Sequence, residues 1–290
     1  LNTMYQLFCD SNCELWHTEA KALGLQVIRM PYVLDGEEFY YDLGENTDFK
    51  HFYDRMRAGA VPTTSAINEQ NYIDYFEPVL KEGRDIYYIT FSHKLSATFE
   101  SMERAIAALK EKYPAREIRT FDTKSISLGT GFQVRLAAEK YNAGATMDEL
   151  DAYLEEVRAH TVVYFVVDDL VYLKRGGRIS ALTAAFGSLL GIKPMISVLP
   201  DGSLQSVGKV KGSKRVFAEF VRIMREHNCN VKDYRVEVLQ ADCPETGDAF
   251  VETLKKEFGE DIKIDYQVVG PVIAAHCGPG TLGLIFYGDK

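Results

Sequence analysis

A chain of 290 residues, 46% apolar and 12% aromatic, can fill one large core or two modest ones. Its 33 basic and 42 acidic residues leave a formal charge of -9, which repels phosphate backbones and anionic surfaces and excludes nucleic acid as an expected partner. No apolar run approaches the roughly 18 residues that span a bilayer, so no transmembrane segment is expected.

No basic start leads into an apolar signal region, and the expected location is the cytoplasm. Cys9, Cys13, Cys229, Cys243 and Cys277 are odd in number and irregularly spaced, as where thiols stay reduced. Whether Leu1, Asn2 and Thr3 ahead of Met4 are native is open.

Met4–Cys9 reads as the first strand. VPTTSAIN at 61–68 is a Ser/Thr cluster ahead of a helical pattern, and Ile86–Thr90 is a second strand. It runs into TFSHKLSATFES at 90–101, with five hydroxyl side chains, and then into a helix whose Phe99, Met102, Ile106, Leu109 and Tyr113 recur at steps of three and four. Ile118–Phe121 and Val162–Val167 are further strands, with a helix between them marked by Met147, Leu150, Leu154 and Val157. Such alternation argues for βαβ units and a mostly parallel sheet.

Beyond Val167 the texture changes. A Pro-Asp-Gly turn inside SLLGIKPMISVLPDGSLQSVGKVK argues for a hairpin, so antiparallel pairing enters. Two helix-strand units follow, with faces of Phe217, Phe220, Val221 and Met224, then Phe250, Leu254 and Phe258. The fold class is therefore α/β with two domains, divided near residue 160. Residues 1–160 carry a mostly parallel sheet flanked by helices; residues 161–290 carry a mixed sheet with a β-hairpin and helices.

Most motifs fail when tested. GPGTLG at 278–283 formally matches a dinucleotide fingerprint but precedes a strand and has no helix after it. GSLQSVGKV places five residues between Gly202 and Gly208 and has Val210 where a P-loop needs Ser or Thr. Histidines are scattered, Cys9-x3-Cys13 lacks a second pair, and no metal is expected. No nucleophile elbow occurs; Ser96, His276 and an acid such as Asp122 or Asp168 make a triad only if folding assembles them. Asp168 and Asp169 most simply cap a helix. Lys174, Arg175 and Arg178 around two glycines suit an anion or an acidic partner, and equally a solvated turn.

Two hydroxyl-rich loops at helix starts, brought together, would hold an anion without a fixed cation. The plainer alternative is N-capping by Ser65 and Ser96. PTTSAIN, SHKLSATFESM, FDTKSISLGTG, VDDLVYLKRGGRIS, LGIKPMISVLPDGSL and HCGPGTLGLIFYG occur in an order and spacing that resembles the DegV family, bacterial fatty-acid-binding proteins. The likeness runs from Cys9-Asp10-Ser11 essentially to the C-terminus.

The resemblance implies two α/β domains with a lipid between them, no cofactor, and no catalytic residue. It also implies an acyl-carrier role, in which the bound carboxyl group is presented to a separate ATP-binding fatty acid kinase. Thr64, Ser96 and His276 would hold the carboxylate. Thr63, Ser65, Ser92, Ala97, Gly280, Lys211 and Arg178 would be secondary contacts to head group or partner. The alternative is a hydrolase or phosphotransferase using Ser96 and His276.

Some positions depart from the family pattern. TSAIN stands where TSQPS is expected, placing Ala66 and Ile67 beside the head group; Ala97 replaces Gly, and Lys211 replaces Arg.

Overall fold

The computed structural model describes residues 4–179 and 191–290. Leu1–Thr3 lie outside them, as does the segment 180–190, which holds the end of VDDLVYLKRGGRIS and the start of LGIKPMISVLPDGSL. The chain divides into two compact units. Unit 1 comprises 1–33, 38–47 and 64–158; unit 2 comprises 34–37, 48–63 and 159–290.

Unit 1 is built on β1 (Tyr5–Asp10), β2 (Gln26–Ile28), β6 (Asp85–Thr90) and β7 (Ile118–Asp122), in the order β2-β1-β6-β7, every pair parallel. β1 is buried along its whole length, as a strand covered on both faces must be. Gln6, Phe8 and Asp10 alternate with Tyr5, Leu7 and Cys9. Phe8 meets Phe76 of helix α3 (Glu69–Lys81) edge-on at 5.2 Å, and Tyr5 meets Tyr141 of α5 (Leu128–Asn142) at 5.1 Å. α4 (Thr98–Lys112) packs against α3 with Phe99, Met102, Ala105 and Leu109 buried. The stripe expected there is present, with Ile106 half-buried beside Ala105.

Unit 2 is a six-stranded mixed sheet. Its strands are β8 (Thr161–Val166), β9 (Ile192–Val198), β10 (Leu204–Lys211), β11 (Val236–Gln240), β12 (Ile264–Val268) and β13 (Leu282–Tyr287), in the order β10-β9-β8-β13-β11-β12. Among the described strands of this sheet, only β11 and β12 run parallel. β9 and β10 form the expected hairpin, closed by a turn in which Gly202 N–H donates to Leu199 O at 2.8 Å with Pro200 inside. β8, which reads like the earlier parallel strands, lies antiparallel to both neighbours. Helices α8 (Ser213–Glu226) and α9 (Pro244–Phe258) cover a core in which Phe217 and Phe220 each pack on Phe250.

The sequence places one boundary near residue 160, and the units change hands at 158/159. Residues 48–63 are nevertheless grouped with unit 2. There α2 (Phe49–Arg57) donates the Tyr53 hydroxyl to Val269 O at 2.5 Å and pairs Arg57 with Asp242 at 2.6 Å. Both bonds join residues roughly two hundred positions apart in sequence, beyond the reach of any local pattern. The short strands β3 (Pro31–Leu34), β4 (Glu37–Tyr40) and β5 (Thr63–Thr64), ordered β4-β3-β5, lie where the chain passes from one unit to the other.

Candidate functional site

In a doubly wound parallel sheet, ligands sit beyond the carboxyl ends of the strands, where chain connections diverge. In unit 1 this place is the end of β1 and β6, and TFSHKLSATFES emerges there. Ser92 is buried; its Oγ accepts from Lys94 N–H at 3.2 Å and stabilises a short 3-10 turn, His93–Leu95. His93 stacks on Phe99 with ring centroids 4.0 Å apart and meets Thr90 Oγ1 through Nε2 at 3.1 Å. Ser96, half-buried, accepts from Thr98 N–H at 3.1 Å, and Ala97 beside it is exposed.

The two hydroxyl-rich loops meet through Thr98. Its hydroxyl accepts from Ile67 N–H at 3.2 Å, with Ile67 O an available acceptor at 3.3 Å. Thr98 and Ile67 are both essentially sealed, at 1% and 2% exposure, so no water can substitute for this clasp. The proline that the family resemblance leads one to expect at position 67 would have no N–H to give Thr98. Thr64 is half-buried, and Thr63 and Ser65 are exposed. Ser65 does not cap α3; Asn68 does, in a reciprocal capping box with Asn71.

Unit 2 holds His276 near the end of α10 (Pro271–Cys277). A Cβ on Gly176 would lie 2.3 Å from His276 Nδ1, so only glycine lets the imidazole approach the backbone after α7 (Val171–Arg175). Burial, and then the positive charge of Arg178, push the imidazole down to about 4. It is a neutral ring at neutral pH, able to donate one N–H. Arg178 itself donates to Gly176 O, and burial lowers its own pKa. Gly280, with φ +87°, is packed so closely on Asp168 that a side chain there would strike the carboxylate, while Gly278 faces the Tyr172 ring. The glycines of HCGPG thus serve close packing, with positive φ at both.

Asp168 is engaged by Lys193, and Asp169 accepts from Val171 N–H at 2.9 Å at the start of α7. The second acid is the helix-start acceptor expected of this pair. Asp122 belongs to unit 1, where His93 Nδ1 lies 3.9 Å from it and Lys124 N–H donates to it at 2.8 Å. Lys211 is exposed at the end of β10, opposite Ile192. Thr64, Ser96, Ser92 and Ala97 therefore lie in unit 1, and His276, Arg178, Gly280 and Lys211 in unit 2. No helix among the described residues is long and apolar enough to cross a membrane.

Sequence reasoning passes over Asp10, Tyr72, Tyr88 and the structural weight of Thr98. Asp10 ends β1, fully buried; it accepts from Tyr88 O–H and from Asn12 N–H, both at 2.9 Å. Burial pushes its carboxyl up to about 7 against those bonds. A buried acid at a strand's carboxyl end is the available signal, but its partners lie far along the chain.

A parallel-sheet unit and a mixed-sheet unit, each with polar groups gathered at loop and helix ends, define a two-unit α/β protein. The chain belongs to the DegV family, whose model, described as an uncharacterised protein family, matches residues 4–289. A DegV domain-containing protein of Clostridium perfringens is 35% identical over 286 residues, covering 98% of each chain. Among solved structures, a DegV family protein from Thermus thermophilus, described for its fatty acid binding, is 28% identical with a TM-score of 0.85, covering 98% of this chain and 99% of its own. A stearic-acid-binding protein from Eubacterium ventriosum is 25% identical with a TM-score of 0.85 and 99% coverage of both chains.

Proposed function

We propose that this protein binds one long-chain fatty acid, burying the acyl tail and holding the carboxylate through Thr64, Ser96 and His276. The observation that carries the reading is the clasp between Thr98 and Ile67, which brings the Thr64 and Ser96 loops together in unit 1. The fatty acids bound by the Thermus and Eubacterium relatives support it.

A carboxylate leaving water needs donors, and two hydroxyls with a neutral imidazole N–H supply them without a buried cation. Buried methylenes contribute about 0.8 kcal/mol each, so a tail of about sixteen carbons supplies on the order of 10 kcal/mol before ordering costs. Affinity comes from the tail and orientation from the donors. Thr63, Ser65, Ser92, Ala97, Gly280, Lys211 and Arg178 remain secondary candidates for head group or partner.

The family resemblance extends the proposal to a non-catalytic carrier in the cytoplasm that presents the carboxyl group to an ATP-binding fatty acid kinase. Denaturing extraction of the purified chain, followed by mass spectrometry of the organic phase, should yield about one fatty acid per protein. No fatty acid, together with no binding of added stearic acid, would overturn the reading. Ester or phosphoryl turnover by the isolated chain would favour the hydrolase or phosphotransferase alternative.

A further inference from the structure

The hydroxyls assigned to the head group sit on loops, and loops do not position donors unless something holds them. In unit 1 that support traces to one carboxylate. Asp10 takes the Phe91 backbone N–H, fixing the start of the segment that carries Ser96. It also takes the Tyr88 hydroxyl at 2.9 Å.

The Tyr88 hydroxyl meets that of Tyr72, and the Tyr72 hydroxyl lies 3.2 Å from Thr98 Oγ1. Thr98 closes the segment at the start of α4 and accepts from Ile67 N–H at 3.2 Å, its single proton going to the Tyr72 oxygen, with Ile67 O at 3.3 Å as the alternative acceptor. Phe91 and Thr98 are therefore secured to the same acid, with Ser96 between them. Ile67, three residues after Thr64, hangs on the end of the chain.

Asp10, Tyr88, Tyr72 and Thr98 are each at most 1% exposed. Water cannot replace any member, and a buried hydrogen-bonded chain is polarised along its length. Tyr88 comes from β6 and Tyr72 from α3, and Cys9, with Cys13 behind it, lies beside Asp10; these are the ionisable groups facing the acid. Among the described residues, none of these brings a positive charge. The acid is therefore tied up by neutral donors alone, which suits an anchor better than an ion pair.

We propose that Asp10, Tyr88, Tyr72 and Thr98 form a buried strut that positions the Ser96 and Thr64 hydroxyls for the ligand carboxylate, with Asp10 as its anchoring residue. The proposal rests on the head-group reading above. Each member acts through another side chain or the backbone, so each is a positioning residue.

The test uses the full chain, stripped of lipid, with radiolabelled stearic acid and with 1-octadecanol, which has the tail without the carboxylate. Tyr72→Phe, which removes both links of the Tyr72 hydroxyl, should weaken stearate by about fivefold or more, since one hydrogen bond is worth about that much, and leave octadecanol within about twofold. Thr98→Val, close in shape, also removes the Ile67 clasp and should weaken stearate at least as much if Tyr72→Phe folds poorly. In the Thr64→Ala, Ser96→Ala double variant, Tyr72→Phe should add nothing further.

A loss shared equally by stearate and octadecanol, or no loss in either strut variant while Thr64→Ala and Ser96→Ala weaken stearate, would overturn the strut alone. Unchanged stearate affinity in Thr64→Ala and Ser96→Ala would overturn the head-group reading and the strut with it.

Discussion

Unit 1 and unit 2 differ in what the structure shows around their polar groups. Around Ser96 and Thr64 the backbone is held by a chain of buried hydrogen bonds anchored at Asp10. Around His276 the ring is held by close packing, with Gly176 leaving room for Nδ1. A hydroxyl rotates and has little surface, so its carrier loop must be fixed by bonds; an imidazole is rigid and broad, so a fitted space also helps to orient it. The same contrast appears in the titrating groups. Burial raises Asp10 to about 7 from 3.8 and lowers His276 to about 4 from 6.5.

These two shifts give opposite slopes of stability against pH. Asp10 binds its proton more tightly when folded, so its contribution is complete below about pH 4 and is lost as pH rises through about 7. His276 resists protonation when folded, so its contribution is complete above about pH 6.5 and is lost as pH falls through about 4. Asp10→Asn should remove a decline of about 4 kcal/mol in unit 1 between pH 4 and pH 8. His276→Gln should remove an opposite change in unit 2, on the order of 2 kcal/mol once the partial exposure of the ring is allowed for. Urea denaturation read by hydrogen exchange in peptides from each unit separates the two. Parallel pH slopes in both units would break the comparison.

Glycine substitutions sharpen it. A Cβ on Gly131 of α5 would sit 2.2 Å from Cys13 O, a backbone atom that cannot turn aside. Gly131→Ala should therefore cost unit 1 about 3 kcal/mol by displacing the helix from the turn after β1. Gly176→Ala clashes with a side chain and merely touches the Tyr172 carbonyl, so it should cost about 1 kcal/mol while pushing His276 outward. Its imidazole pKa should then move from about 4 back toward 6.5, as followed by proton NMR. A Gly176→Ala protein with an unmoved imidazole would show that packing does not hold the ring.

Much of this architecture is legible in the sequence, for reasons that also mark where legibility ends. Strand and helix periods report local burial, so β1, β6, β7, the stripe of α4 and the Pro200-Asp201-Gly202 turn can be read directly. β8 cannot be distinguished from a parallel strand, because its partners β9 and β13 lie well beyond it in the chain. The hydroxyl clusters are visible, but Ser96 and Thr98 stand two residues apart in the same stretch. Only the fold shows that Thr98 is turned inward to Ile67 and Tyr72 while Ser96 stays half-buried. Asp10 and Tyr88 are 78 positions apart, so their bond leaves no mark on either segment.

Ala97 supplies the smallest effect and separates crowding from positioning. Its Cβ stands where the family resemblance leads one to expect glycine, which raises the question of whether a close approach to ligand has been lost. The backbone at Ala97 has φ -84° and ψ -2°, open to any residue, and the side chain is exposed, so nothing in unit 1 demands glycine. Glycine is tolerated at a helix start but adds chain entropy, so Ala97→Gly should change stability by only about 0.5 kcal/mol. If Ser96 is positioned by the strut through Phe91 and Thr98, removing this Cβ leaves both anchors intact. Stearic acid affinity should then stay within about twofold of the original. A tightening of about tenfold, or roughly 1.4 kcal/mol, would mean that the Ala97 methyl presses on the ligand. Local crowding would then set the grip in unit 1, as packing sets the ring in unit 2, and the distinction between the units would fail at its most exposed residue.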